Sequence, residues 1–508
     1  MVIPPRAATL ALIALATLLR LGWSAAIGTS TDEAYHWQYA RHPALSYFDH
    51  PPMTMWIIRF GLAVCGGWVH ALSLRLGFIL LCAGSTWFLS RWTTHWFGER
   101  AGFWAAVGFT LTYFFTAYGS TAAVPDSPLI VFGLLTWWQA SVALDDRLSE
   151  RAKLRAWLFV GLGFGGALLS KYNAVLLPAG VVAYVLLTPG KRRVLRSPGP
   201  YLAVLIGALM FAPVIAWNAE NQWASFRFQG GRATSNAVPV LHGGPLVWLI
   251  GPIVFLLPWI WFWLVVEFGR RLRRFASVAG GERMSMIFAG VPLAFFFATS
   301  CFNGQFLPHW PVVGFLPLYP LLGARWAAIR LSHPRAFRGM AAWWVGALLV
   351  VLTLNYIQIR TGLFPFPAKD DPTRAYSGWE SVADELTARG LLDEPGLFLF
   401  TNQWDHCGQL AFALRNRVPV TCYHSFDARG FAFWSRPEDY LGRTGLMVVI
   451  DEGSEADTRR EYGVFFESMT LVAEFPMTRS GRVFFPVKVY RCVNQQVPYP
   501  FDFAIRRK

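Results

Sequence analysis

Residues 31–37 read Thr31-Asp32-Glu33-Ala34-Tyr35-His36-Trp37, and residues 47–52, Tyr47-Phe48-Asp49-His50-Pro51-Pro52, follow them closely. Both segments are polar and aromatic, and both come soon after the first long apolar run of the chain. Ionisable residues in such surroundings need a physical reason, because charges are costly at membrane depth. The simplest alternative is that Asp32 only caps a short amphipathic helix on the membrane surface. The positions of the other polar residues decide between this helix cap and a functional site.

The composition indicates a polytopic membrane protein. Of the 508 residues, 54% are hydrophobic and only 15% are charged, so the chain is far more apolar than a soluble protein. Apolar runs of roughly 17 to 22 residues recur along most of the chain, and each is long enough to cross a bilayer. We predict about eleven transmembrane helices, at residues 7–28, 72–90, 101–119, 127–144, 156–170, 173–188, 200–217, 245–266, 285–301, 310–324 and 339–358.

The loops between these spans alternate in charge, which predicts the orientation of the chain. Lys and Arg are concentrated in one set of loops, at residues 91–100, 147–155, 191–196, 270–274 and 325–338. The other set, at residues 29–71, 120–126, 218–244 and 302–309, contains few of them. By the positive-inside rule the basic set is cytoplasmic. The N-terminus is then cytoplasmic, and the region after residue 359 lies outside.

The formal net charge of +15 does not indicate a nucleic-acid partner. The basic residues lie in short loops where they set membrane orientation, and membrane lipids are the expected surroundings.

Three further polar motifs lie on the same outer side as Asp32. They are Pro125-Asp126-Ser127-Pro128, Ser170-Lys171-Tyr172-Asn173 and Pro308-His309-Trp310-Pro311. Each has an ordinary explanation: Asp126 as a helix cap, Lys171 as an anchor that reaches lipid phosphate, and His309 as part of an aromatic belt. Their shared level favours a site. A transporter would instead place charges near the bilayer midplane, where only Arg20 comes close, and would show internal repeats, which we do not find.

Taken in order, these motifs resemble the GT-C glycosyltransferases of the protein mannosyltransferase type. The similarity covers about residues 5–360 and is greatest to the bacterial branch with the galacturonosyl transferases of rhizobial lipopolysaccharide and the aminoarabinose transferase of lipid A. The resemblance implies a GT-C transmembrane enzyme that takes sugar from a polyprenyl-phosphate donor on the outer leaflet. It implies Asp32 as the catalytic acid/base, and Asp49 and His50 near donor phosphate or a metal. Because the family often has Lys where His50 stands, the role of His50 is open.

Elementary chemistry agrees with this interpretation. A carboxylate can take the proton of an acceptor hydroxyl and contributes roughly 10²–10⁴-fold as a general base. Asp126 is the alternative base, or a group that orients the sugar. Positive charge helps the phosphate to leave, and the candidates for this role are Lys171, His50, Arg20 and Arg232.

Other residues of the outer loops are expected to contact the substrates. The substrate-binding candidates are Glu33, Tyr35, Tyr47, Asp49, His309 and Gln229. Gln229 belongs to the loop 218–244, whose aromatic and basic residues suit a mobile lid or an interfacial anchor. Asp49, His50 and His309 could together hold a divalent cation, because mixed His/carboxylate sets suit zinc or manganese. No closely spaced ligand pair supports that metal site.

The chain changes character after residue 359. Its apolar runs shorten to strand length, at residues 397–400, 418–423, 446–450 and 483–490, with helical patterns between them. We therefore predict a catalytic transmembrane domain at 1–359 and a small periplasmic α/β domain at 360–508. Cys407, Cys422 and Cys492 lie in the second region, and this odd number leaves any disulfide pairing open.

Together these observations predict an inverting membrane glycosyltransferase with Asp32 as general base. Its donor is a polyprenyl-phosphate sugar, and its acceptor is an envelope glycolipid, first of all lipid A or lipopolysaccharide core. The alternatives are a transporter or flippase of lipid-linked sugars, a non-catalytic assembly protein, and a protein O-mannosyltransferase-like activity.

Overall fold

The fold is helical up to residue 361 and mixed α/β beyond it. The structure is a computed structural model, and it describes residues 4–234, 244–302, 306–376, 378–450 and 454–501. The helices up to residue 361 are α1 Pro5–Ala26, α2 Thr31–Arg41, α3 Met53–Val64, α4 Ala71–Phe97, α5 Glu99–Thr110, α6 Asp126–Ala143, α7 Glu150–Leu168, α8 Leu176–Leu187, α9 Gly199–Glu220, α10 Ala224–Thr234, α11 Gly244–Leu256, α12 Pro258–Leu272, α13 Gly280–Phe302, α14 Val312–Phe315, α15 Tyr319–Ser332 and α16 Pro334–Thr361.

Each predicted span contains helix, but the helices differ in length. Among the described residues, six are long and apolar enough to cross a membrane: α1, α4, α9, α13, the continuous segment Val312–Ser332 and α16. A seventh span results if α11 and α12 are counted together, although they bend by 116° at Leu257, which has a φ of +70°. Length and hydropathy alone therefore do not establish the predicted number of eleven.

The segment between α1 and α4, which is predicted to be an outer loop, is partly helical. It contains α2 and the short apolar helix α3, which begins after Pro51-Pro52. Pro52 occupies the N-cap position of α3. The first polar motif therefore lies on α2, and the second, residues 47–52, lies in the non-helical connection between α2 and α3.

The region after α16 contains helices α17 Trp379–Ala388, α18 Trp404–Ala413, α19 Phe431–Trp434 and α20 Glu455–Tyr462, and strands β1 Phe398–Thr401, β2 Val420–Cys422, β3 Gly445–Ile450, β4 Phe466–Arg479 and β5 Arg482–Gln495. The strands form one sheet in the order β2-β1-β3-β5-β4, with β1 parallel to β2 and β3, and the β3–β5 and β4–β5 pairs antiparallel.

Four of these strands coincide with the predicted apolar runs, and β4 was missed. Buried and exposed residues are interleaved along β4, so it has no continuous apolar run to reveal it. All six cysteines are free thiols, so no disulfide forms in this region.

The α/β region packs directly on α2, in the segment between α1 and α4. Helix α18 lies against α2 so closely that a Cβ added to Gly408 would be 2.9 Å from the Tyr35 backbone. The rings of Trp37 and Phe412 meet edge to face at 5.3 Å, and Gln409 Nε2 donates to the Thr29 carbonyl at 3.2 Å. The two regions therefore share a buried core beside the motif at residues 31–37.

Candidate active site

The first polar motif is set by a capping box. The Ser30 side chain accepts from the Glu33 N–H, and the Glu33 carboxylate accepts from the Ser30 N–H at 2.9 Å. Helix α2 therefore begins at Thr31, and Asp32 is not its cap. The Asp32 side chain is half-buried, and its Oδ2 accepts a hydrogen bond from the Tyr118 hydroxyl at 3.1 Å.

Glu33, next to Asp32, has a structural role. Its carboxylate is fully buried and lies 2.6 and 2.5 Å from Nε and Nη2 of Arg75. It also accepts from the Ala123 N–H at 3.0 Å. Burial by itself would raise the pKa of Glu33, but the Arg75 guanidinium outweighs this effect and the pKa lies below its ordinary value. In this structure the oxygens of Glu33 are occupied by protein donors, and a contact of Glu33 with substrate stays a prediction.

Asp49 is the centre of a second buried cluster. Tyr35 donates to Oδ1 at 3.1 Å, Tyr39 donates to the same oxygen, and Arg429 from the α/β region approaches Oδ2 at 3.4 Å. Tyr47 stacks on Tyr39 and donates to the Tyr39 carbonyl at 2.9 Å. Tyr35, Tyr47 and Asp49 were predicted to bind substrate. All three are buried in this structure, and their contact with substrate stays a prediction.

Two histidines lie between these clusters. His36 is one turn after Asp32 on α2, and its Nδ1 lies 2.9 Å from the Ala123 carbonyl, which can only accept. The neutral ring therefore keeps its proton on Nδ1 and leaves Nε2 as an acceptor. Burial lowers the pKa of His36, and it lowers that of His50 to about 3, although the Asp49 carboxylate opposes the change. At neutral pH His50 is uncharged, which does not fit the predicted role of a phosphate-binding cation.

Asp126 and Lys171 form a close ion pair. The Lys171 ammonium is 2.8 Å from both oxygens of Asp126, and the two side chains are 15% and 9% exposed. Pro125 occupies the cap position of α6, and the Asp126 side chain makes no capping hydrogen bond. The cap explanation for Asp126 therefore fails, and Lys171 has a protein partner.

Half of the predicted site residues meet in one cleft of about 510 Å³. The residues predicted from sequence that line it are Asp32, His50, Asp126, Lys171, Gln229 and His309. Gln229 belongs to α10 and donates to the Asp49 carbonyl at 2.7 Å. We call the ionisable residues of the lining its polar floor, and Phe295 and Phe296 of α13 and Trp310 its apolar wall. A lining of both kinds suits an amphipathic ligand.

Two predicted phosphate-binding residues are not among those that line this cleft. Arg20 is buried within α1, where its Nη2 donates to Thr116 Oγ1 at 3.3 Å. Arg232 falls in α10, but its side chain lies outside the described residues.

The residues proposed as metal ligands do not fit a metal centre. Among the described residues, no group of three or more His, Cys, Asp or Glu side chains is arranged to hold a metal ion. Asp49 is already bonded to two tyrosines and Arg429. The predicted zinc or manganese site at Asp49, His50 and His309 is therefore not found.

Sequence reasoning assigned no role to several residues of the cleft, among them His36, Tyr118, Trp404 and Arg429. His36 follows Asp32 by four positions on a helix, so the pattern could have revealed it. Trp404 and Arg429 come from the α/β region, and Arg429 is 380 positions from its partner Asp49. No local pattern predicts a contact at that separation.

Comparison with known proteins agrees with this architecture. Residues 49–217 match the family model described as dolichyl-phosphate-mannose-protein mannosyltransferase. The chain is 23% identical over 455 residues to the lipid A galacturonosyltransferase RgtD of Rhizobium johnstonii, covering 83% of this chain and 86% of that protein. It is 27% identical over 343 residues to the undecaprenyl phosphate-alpha-4-amino-4-deoxy-L-arabinose arabinosyl transferase of Pseudomonas aeruginosa, covering 65% of this chain and 59% of that protein.

Solved structures show the same fold. The crystal structure of ArnT from Cupriavidus metallidurans bound to undecaprenyl phosphate superposes with a TM-score of 0.63 at 17% identity, over 95% of this chain and 97% of that one. The oligosaccharyltransferase AglB of Archaeoglobus fulgidus superposes with a TM-score of 0.51 at 12% identity, over 81% of this chain and 64% of that one.

The fold and the matches define this chain as a multi-pass membrane glycosyltransferase with the GT-C fold. Within that class it is similar to the bacterial branch that contains lipid A sugar transferases, so the resemblance stated from the sequence is confirmed.

Proposed function

We propose that this enzyme transfers a sugar from a polyprenyl-phosphate donor to lipid A or lipopolysaccharide core, with inversion, on the periplasmic face of the bacterial inner membrane. The names of the relatives support this choice, since one is a lipid A galacturonosyltransferase and the other an undecaprenyl-phosphate-dependent arabinosyl transferase. The observation that carries the proposal is the cleft in which Asp32, Lys171 and an apolar wall meet.

Asp32 is the proposed general base. It is half-buried, lines the cleft and accepts one hydrogen bond from the neutral Tyr118 hydroxyl. Asp126 is held by the Lys171 ammonium through both of its oxygens, which stabilises the carboxylate and makes it a weaker base. The contrast between these two environments favours Asp32 over Asp126.

The proposed reaction is a single displacement. Asp32 takes the proton of the acceptor hydroxyl as its oxygen bonds to the anomeric carbon of the sugar. The bond between that carbon and the phosphate oxygen breaks on the opposite side, and polyprenyl phosphate leaves with the electron pair. One displacement inverts the anomeric configuration. Fixed positive charge near the leaving oxygen stabilises the transition state, and Lys171 is a candidate for this role.

The apolar wall is the proposed path of the prenyl chain. Phe295, Phe296 and Leu307 line the cleft on the side of α13, one of the helices long enough to span the membrane. A lipid tail between these side chains would keep the phosphate at the polar floor. This arrangement places the donor within the membrane and removes the need for a nucleotide-binding loop, of which the sequence shows no sign.

The direct test uses purified protein in lipid nanodiscs with a polyprenyl-phosphate sugar and lipid A, with no nucleotide added. We expect glycosylated lipid A in the mass spectrum, and no product from the Asp32→Asn variant. A parallel reaction offers a Ser/Thr-containing peptide, because the matched family model is described as a protein mannosyltransferase. Transfer to the peptide alone would replace the proposed acceptor, and activity with a nucleotide sugar alone would contradict the proposed donor.

A further inference from the structure

We propose that Arg429, which the α/β region contributes to the cleft, binds the phosphate of the polyprenyl donor. This inference rests on the proposed function and assigns part of that function to the α/β region. Among the described residues that line the cleft, the permanent cations are Lys171 and Arg429. Lys171 is neutralised at 2.8 Å by Asp126. Arg429 has longer contacts with carboxylates, at 3.4 Å to Asp49 and 3.4 Å to Asp427.

The guanidinium of Arg429 is fixed on three sides. It lies over the ring of Trp404, with its central carbon 3.7 Å from the ring centroid. Its Nη1 faces Asp49 and its Nε faces Asp427. Its Nη2 donates no hydrogen bond to the described part of the chain, while the side chain keeps 18% of its surface exposed. A planar cation whose Nη2 is open to a cleft suits binding of a phosphate oxygen.

The backbone around Arg429 is also held in place. Arg429 has a φ of +47°, a left-handed conformation that side chains other than glycine rarely adopt. The next residue, Gly430, donates its N–H to the Tyr35 hydroxyl at 3.0 Å, and the same hydroxyl donates to Asp49. The cluster of Asp49, Tyr35 and Tyr39 therefore positions Arg429. This explains why these residues are buried beside the cleft.

Arg429 also links donor binding to the packing of the α/β region. Trp404 begins α18, the helix that packs against α2, and the Trp404 and Tyr35 rings meet edge to face at 4.9 Å. A phosphate at Arg429 would contact the α/β region and the membrane part at once. The α/β region thereby completes the donor site.

The test measures binding of undecaprenyl phosphate, which has no sugar, and of undecaprenol, which has no phosphate, to purified protein by native mass spectrometry. We expect Arg429→Gln to weaken undecaprenyl phosphate binding by about 10–100-fold, the range for a lost charged hydrogen bond. Binding of undecaprenol should not change. Arg429→Lys, which keeps the charge but not the planar fork, should give an intermediate loss. Arg417→Gln is the matched control, because Arg417 lies in the same region and pairs with Asp393 on the surface.

Two results would overturn the inference. One is equal binding of undecaprenyl phosphate by the parent protein and the Gln variant. The other is an equal loss of both lipids in the Gln and Lys variants, which would assign Arg429 a structural role. If the parent itself bound undecaprenyl phosphate no better than undecaprenol, the proposed function would fail and this inference with it. Binding by the parent together with unchanged binding by the variant would reject Arg429 alone.

Discussion

Two adjacent carboxylates, those of Asp32 and Glu33, have different surroundings, and that difference predicts different consequences of mutation. We expect Asp32→Asn to fold and insert normally but to lower kcat by at least about 100-fold, because the amide cannot take a proton. Turnover with a polyprenyl-phosphate sugar is the measurement. Asp126→Asn is the comparison and should cost less if Asp126 only orients the sugar and Lys171. Near-normal turnover in Asp32→Asn with none in Asp126→Asn would reverse the two roles.

Glu33→Gln should instead act on stability. The change leaves the buried Arg75 guanidinium without a charged partner, and breaking a buried ion pair typically costs about 3–5 kcal/mol. We expect a lower melting temperature in detergent and a lower yield of folded protein. The surface pair of Glu385 with Arg389 is the control, and Glu385→Gln should leave the melting temperature nearly unchanged. A fully stable but inactive Glu33→Gln variant would favour the predicted contact of Glu33 with substrate.

Because of His50, we expect the stability of the folded protein to depend on pH. Its pKa is about 3 in the folded protein and 6.5 by reference, so the unfolded chain binds one more proton between these values. The contribution of His50 is therefore fully present above about pH 6.5. It falls as the pH is lowered towards 3, by about 1.4 kcal/mol per pH unit. His50→Asn should reduce the change in melting temperature between pH 7 and pH 5, and the exposed His333→Asn should not. Part of the change should remain, because burial also lowers the pKa of His36. An unchanged slope in His50→Asn would contradict the assigned burial.

At the scale of elements, the contact between α2 and α18 should control activity from outside the cleft. Gly408→Ala places a Cβ 2.9 Å from the Tyr35 Cα and N, so one helix must move. Overpacking of this kind costs about 1–3 kcal/mol. We expect a lower melting temperature and several-fold lower turnover, because Trp404 and Arg429 shift with α18. Gly463→Ala is the matched control, since nothing lies within 4 Å of the added Cβ. Normal turnover in Gly408→Ala would show that this packing does not position the site.

Elements could be predicted from the sequence where their signal is local. Helices α1, α9 and α16 follow from long apolar runs, and β3 from a short one. The amphipathic strand β4 and the break at Leu257 have no such signal. The residues of the candidate site also differ in whether a local sequence signal reveals them. Asp32, Asp126 and Lys171 were found from motifs, whereas Trp404 and Arg429 depend on a contact between distant regions that only the folded chain shows.

At the scale of the whole molecule, the asymmetry of charge between the loops predicts which side of the membrane the cleft faces. We introduce single cysteines at two exposed positions, Ala276 beside the basic residues 270–274 and Ser468 on β4. In intact spheroplasts an impermeant thiol reagent should label Ser468→Cys and leave Ala276→Cys unlabelled, because the basic loops remain cytoplasmic. Both should react after the membrane is disrupted.

The native thiols need a control, since Cys65 and Cys301 are only partly buried. Labelling of the parent chain measures the reaction of the native cysteines. Each variant with one added cysteine must be labelled more strongly than this background. The result bears directly on the donor: polyprenyl-phosphate sugars at the outer leaflet reach a periplasmic cleft, and nucleotide sugars of the cytoplasm do not. Labelling of Ala276→Cys in intact spheroplasts, with Ser468→Cys protected, would place Asp32 on the cytoplasmic side. The proposed acceptor, lipid A at the periplasmic face, would then be out of reach of the cleft.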